Sequence, residues 1–145
     1  MSHPPRRDRR PFTKSMLLPL PSVDVRRLSL RFHLALAVMS SGHGNGDQFM
    51  TLLGTTYIAF FLRDIEVDDV DRRLYKRAED ALEQCMQRVE QGQPWTLLVD
   101  ERIAIEQLVT FHDIQLLIAP AHRYVDARER VRYVVEKGRP SPIPA

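Results

Sequence analysis

The sequence predicts an all-α protein: a single-domain bundle of about five helices around a central apolar helix at residues 49–62, with flexible proline-rich tails. Three observations carry that expectation. The stretch Phe49 to Leu62, FMTLLGTTYIAFFL, holds no charge and therefore no polar face, and such a helix is stable only when neighbours surround it. Four other segments repeat apolar residues at three- and four-residue steps, the period of an amphipathic helix. Glycine and proline punctuate the intervals, and there is neither an internal repeat nor a second core.

Length and composition agree. The chain has 145 residues, 43% hydrophobic and 28% charged, which suits one globular domain able to bury its own core. Its single cysteine, Cys85, cannot form an intrachain disulfide, and no apolar signal segment opens the chain, so a cytoplasmic location is expected. The apolar stretch is too short to span a membrane core of ~30 Å at 1.5 Å per residue. The net charge of +2 divides unevenly: +4 over residues 1–21, −3 over 22–137, and Arg139.

Taken in order, residues 1–21 hold five of the ten prolines beside Arg6, Arg7, Arg9 and Arg10, and read as a basic flexible tail. Met16, Leu17, Leu18 and Leu20 are its apolar exception, suited to lying over the body or in a partner's groove. Residues 22–138 form the bundle domain. Ser22 is the expected N-cap of the first helix, with Val25, Leu28, Phe32, Ala35, Leu36 and Met39 inward and Leu30, Leu34, Ala37 and Val38 expected to widen that stripe, and the run from Ser40 to Gly46 stops it. Asp47 is expected to cap the central helix, and Gly54 to mark a close crossing with another backbone.

The third helix is expected over Val70 to Gln91, with Leu74, Ala78, Ala81, Leu82, Cys85 and Val89 on one stripe. Its opposite face pairs Asp68 with Arg72, Asp69 with Arg73 and Lys76 with Asp80, and Gly92 and Pro94 end it. A fourth helix starts near Leu97 or Asp100 and runs to Ala119. Leu98, Ile105, Leu108, Val109, His112 and Leu116 face inward, and Ile103, Ile114, Leu117 and Ile118 are expected to broaden that face. Pro120 opens a fifth helix, with Tyr124, Ala127, Val131, Val134 and Val135 inward as far as Gly138. Residues 139–145 leave a short proline-rich tail.

No constellation dictates a reaction. The loop Gly42-His43-Gly44-Asn45-Gly46 lacks the lysine and hydroxyl of a phosphate loop and follows a helix rather than a strand. The histidines form no Glu-x-x-His pair and no His-Glu-x-x-His run, so neither a metal nor another cofactor is expected. His112 is the most informative polar residue, because Glu101, Ile105, Leu108 and His112 share one stripe; a pocket lined by His112, Tyr57 and Trp95 would make a small-molecule sensor or an enzyme. The plainer reading is a core-edge histidine bonded to a carboxylate. Cys85 reads as a buried thiol, with Arg88 the only local group able to activate it.

Arg123, Arg128, Arg130 and Arg132 on the last helix, with the basic tail, suggest a second class, a small DNA-associated regulator. Against it, acidic residues are interleaved at pairing distance, Asp126 with Arg130 and Arg132 with Glu136, and the helix has no Asn or Gln to read bases. The leading expectation is a non-enzymatic helical interaction or regulatory protein, acting through a protein partner or a second copy of itself. Its apolar faces exceed what five short helices can cover.

Overall fold

The computed structural model describes residues 11–63 and 72–145. The described residues form six helices: α1 (Lys14–Leu17), α2 (Ser22–Ser40), α3 (Gly46–Phe61), α4 (Arg73–Glu90), α5 (Val99–Ile118) and α6 (Ala121–Glu136). They form one helical domain in which α3 packs against α2, α4, α5 and α6, so the apolar helix is central, as its sequence demands. No described helix is long and apolar enough to cross a membrane. The expected start of the third helix at Val70 and the pairs formed by Asp68 and Asp69 fall on residues outside those described.

Each helix end has a local cause, and several differ from expectation. Ser22 does not cap α2: it is already helical, Pro21 holds the cap position, and the Pro21 carbonyl accepts from Asp24 and Val25. Asp47 does not cap α3 either. Asn45 does, its side-chain oxygen accepting from the Asp47 N–H at 2.8 Å while its own N–H donates to Gln48 Oε1 at 2.8 Å. Because Gly46 adopts helical geometry, Asp47 moves into the first turn, where its charge still opposes the positive helix end. Gly42 and Gly92, with φ of 80° and 86°, reverse the chain after α2 and α4 in a conformation that side chains disfavour.

A helix without a polar face must still satisfy its hydroxyls. Thr51, Thr55 and Thr56 donate to the carbonyls of Asp47, Thr51 and Leu52, one turn back. Leu52, Ala59 and Leu62 are fully enclosed. Gly54, expected at a close crossing, has no neighbour within 4 Å of where a Cβ would stand: it opens onto a cavity instead.

The amphipathic stripes bury largely as their periods dictate: Phe32, Ala35, Leu36 and Met39 from α2, Ala78, Ala81, Leu82 and Cys85 from α4, and Ile105, Leu108, Val109 and Leu116 from α5. Leu30, Leu34 and Ala37 of α2, expected to widen its stripe, and Val135 of α6, expected inward, are exposed instead. A further departure is on α5, whose cap residue Leu98, also expected inward, is exposed. Ile103, Ile114, Leu117 and Ile118, expected to widen its inner face, all stand exposed. With 3.6 residues per turn they fall on the side opposite His112, and no described helix covers that side.

The described residues before α2 and those after α6 run against the body. Leu18 accepts from the Ala121 N–H at 2.7 Å, Pro19 bridges Pro120, and Phe12 stacks on His122 with ring centroids 4.3 Å apart. At the other end, expected as a flexible tail, Ile143 is buried in the core cluster and Ser141 donates to the buried Glu79 carboxylate.

Candidate functional site

His112 lies deep in α5, 2% exposed, and lines a cavity of about 190 Å³. The floor and walls come from four helices: Leu28, Arg31 and Phe32 of α2, Met50, Gly54 and Ile58 of α3, His112 of α5, and Tyr124 and Arg128 of α6. Helical spacing delivers these groups. Leu28, Arg31 and Phe32 are one turn of α2, Gly54 and Ile58 are four apart on α3, and Tyr124 and Arg128 are four apart on α6, so each set shares a face.

The imidazole is held by an amide, not by the carboxylate expected for it. Gln115 donates its side-chain N–H to the Ala59 carbonyl at 3.0 Å, which turns its Oε1 toward His112 Nδ1 at 2.8 Å. That oxygen can only accept, so Nδ1 carries the proton, and in the neutral ring Nε2 is left as an acceptor. Burial pushes the His112 pKa down, with Gln115 and Asp113 opposing weakly, so the ring is neutral near pH 7. Asp113, one residue on, faces α2 and accepts from Ser29 Oγ and pairs with His33 Nε2, each at 2.7 Å.

The other two residues expected beside His112 are elsewhere. Tyr57 faces a second cavity with Glu79, Lys76 and Ser141, where burial first and the Glu79 carboxylate second push its phenol up to about 12. Trp95 packs on Phe49 at 5.5 Å between centroids. Helix α3 turns Tyr57 toward α4 and Gly54 and Ile58 toward α2, so Tyr57 and His112 belong to different cavities.

Cys85 is fully buried, its Sγ on the Thr96 carbonyl at 3.4 Å. Burial raises the thiol's pKa, and Arg88 opposes this only in part because its guanidinium is bound to Glu101. On α6, Arg130 reaches Asp126 at 3.4 Å, and Arg132 reaches Glu129 and Glu136 at 3.8 Å, as their spacing predicts. Arg123 stands half-buried on the first turn of α6, Arg128 opens onto the His112 cavity, and Arg6, Arg7, Arg9 and Arg10 lie outside the described residues. Among the described residues no group of three metal-ligating side chains converges.

A second feature is a surface. On α2, Leu30 (60% exposed), Leu34 (53%) and the exposed Ala37 form one outer stripe. On α5, Val99, Ile103, Ile114 (47%) and Leu117 (65%) form another. The two helices adjoin and run antiparallel, because Leu97 donates to the Met39 carbonyl at one end while Ser29 and His33 meet Asp113 toward the other.

No sequence motif marks Arg31, Gly54 or Tyr124 as site residues. The one signal was the Tyr124/Arg128 spacing of four, which places a phenol and a guanidinium on one side of α6. No family model matches the chain, and neither does any curated protein or solved structure.

Proposed function

We propose that this protein is a helical interaction protein that associates through the outer face of α2 and α5, with a second copy of itself as the simplest partner. The observation that supports this reading is the pair of exposed apolar stripes on adjoining helices, Leu30, Leu34 and Ala37 beside Val99, Ile103, Ile114 and Leu117. Single exposed leucines are ordinary, but aligned rows on neighbouring helices form a contiguous patch of the kind found at interfaces. Their charged margins are complementary. Arg26 and Arg27 flank the α2 stripe, while Asp100 and Glu106, with Arg102, flank that of α5. In a two-fold arrangement α2 of each copy meets α5 of the other, so the same surface serves both.

Sedimentation equilibrium at micromolar concentrations tests the reading. A dimer that dissociates in Leu34→Glu and Ile114→Glu variants supports it. A strict monomer that also fails to bind an apolar dye overturns it.

A further inference from the structure

The cavity beneath Gly54 contains polar atoms to which no described residue bonds. Tyr124 is 6% exposed, yet its hydroxyl makes no hydrogen bond among the described residues. Every fully enclosed side-chain nitrogen or oxygen among them is bonded, so an unbonded Tyr124 Oη is an atom the cavity leaves accessible. The same holds for His112 Nε2, since only Nδ1 is engaged. Beside Tyr124 stand two guanidiniums, Arg31 and Arg128, whose positive charges both act on its phenol. No carboxylate among the described residues lies within ion-pair distance of either, although the other arginines of the last two turns of α6 find one.

The remainder of the wall is apolar: Leu28, Phe32, Met50 and Ile58, with Thr51 and Thr55 having spent their hydroxyl protons on backbone carbonyls. Two cations without a described carboxylate partner and a phenol O–H at one rim, over an apolar interior, select an anion carrying a hydrocarbon body. The volume, about 190 Å³, exceeds the ~150 Å³ that accommodates benzene. It is kept open by Gly54, where any side chain would project into it.

We propose that this cavity binds a small aromatic carboxylate, its carboxylate held by Arg31, Arg128 and the Tyr124 hydroxyl and its ring lying against Phe32 and Ile58 beside Gly54. A ring hydroxyl directed inward would donate to His112 Nε2, so hydroxylated aromatic acids are preferred over the parent acid. Free phosphate matches the cations but leaves the apolar wall unfilled, and an uncharged aromatic alcohol does the converse.

Calorimetric titration of the full chain with benzoate, para-hydroxybenzoate, inorganic phosphate and benzyl alcohol tests this. The expected result is binding of both carboxylates, para-hydroxybenzoate the tighter, with phosphate and benzyl alcohol weaker by at least about tenfold. Arg31→Met combined with Arg128→Met is expected to weaken the carboxylates by a similar factor, and Gly54→Leu to abolish binding while circular dichroism stays native. Arg130→Met, outside the cavity, is expected to leave binding unchanged. No binding of either carboxylate at millimolar concentration overturns the proposal. So does binding insensitive to the arginine pair, or phosphate binding as tightly as benzoate.

Discussion

Arg88 on α4 grips Glu101 on α5 with both ends of its guanidinium, Nη1 lying 2.7 Å from Oε2 and Nη2 on Oε1. The same Nη2 reaches the Thr96 carbonyl at 3.1 Å, and Glu101 Oε1 accepts from the Leu98 N–H at 2.9 Å. One buried pair thus ties together the end of α4, the connection after it and the first turn of α5. Burial alone would raise the Glu101 carboxyl, but the Arg88 and Leu98 hydrogen bonds outweigh it and hold its pKa below the ordinary value.

Arg88→Met strands the Glu101 charge in a site only 5% exposed, and is expected to cost about 3–5 kcal/mol in urea unfolding. Adding Glu101→Leu restores most of the loss, because what destabilises is the uncompensated charge rather than the missing attraction. Since the folded carboxyl pKa is depressed, the pair's contribution is fully present above the unfolded glutamate value and fades as pH falls through the folded one.

His112 acts in the same direction at higher pH. Its folded pKa lies below the unfolded 6.5, so below that pH the unfolded chain takes up a proton the folded chain resists. Stability is expected to hold above pH 6.5 and to decline as pH falls below it. In His112→Gln, the part of the decline due to this ring disappears from unfolding midpoints measured across that range.

Cys85 is expected to be unreactive. A chromogenic disulfide reagent at neutral pH should modify the native protein at the rate of its opening and the urea-unfolded chain at the rate of an ordinary thiol. Fast labelling of the native state would contradict the burial seen around it.

Tyr57 reports on the C-terminal segment. Glu79 raises the phenol's pKa and Ser141 lowers it, with burial the largest cause, so Glu79→Gln is expected to bring the value down from about 12 in a phenolate absorbance titration. Ile143→Ala removes a buried anchor and is expected to cost about 2 kcal/mol, at the low end for such truncations because the segment is terminal.

Much of the fold was legible because helical periodicity is local. The stripe Ile105, Leu108, Val109, His112 and Leu116 buries, although Leu98 ahead of it does not, and the intrahelical pairs Lys76–Asp80 and Asp126–Arg130 form at 3.3 Å and 3.4 Å. Helix caps are less legible than stripes. Asn45 displaces Asp47 because the helix begins two residues earlier, at Gly46, and a cap depends on where the first turn closes. Of the site, His112 stood out in the sequence, but its partner did not. Gln115 is three residues on, and its bond to Ala59, 56 residues away, is what orients it.

The sequence by itself determined that the chain is helical, that α3 must be central and that Cys85 would be buried, since each follows from residue type and spacing along a helix. Only the tertiary structure decided where apolar surface remained uncovered. An apolar stripe has the same period whether it faces a core or water, so Ile114 and Leu117 looked like core until α5 was seen to turn them outward. It likewise decided that Arg31, Tyr124 and His112, from three separate helices, surround one cavity while Tyr57 faces another. Such convergence depends on how helices cross, which no pattern within a single helix records.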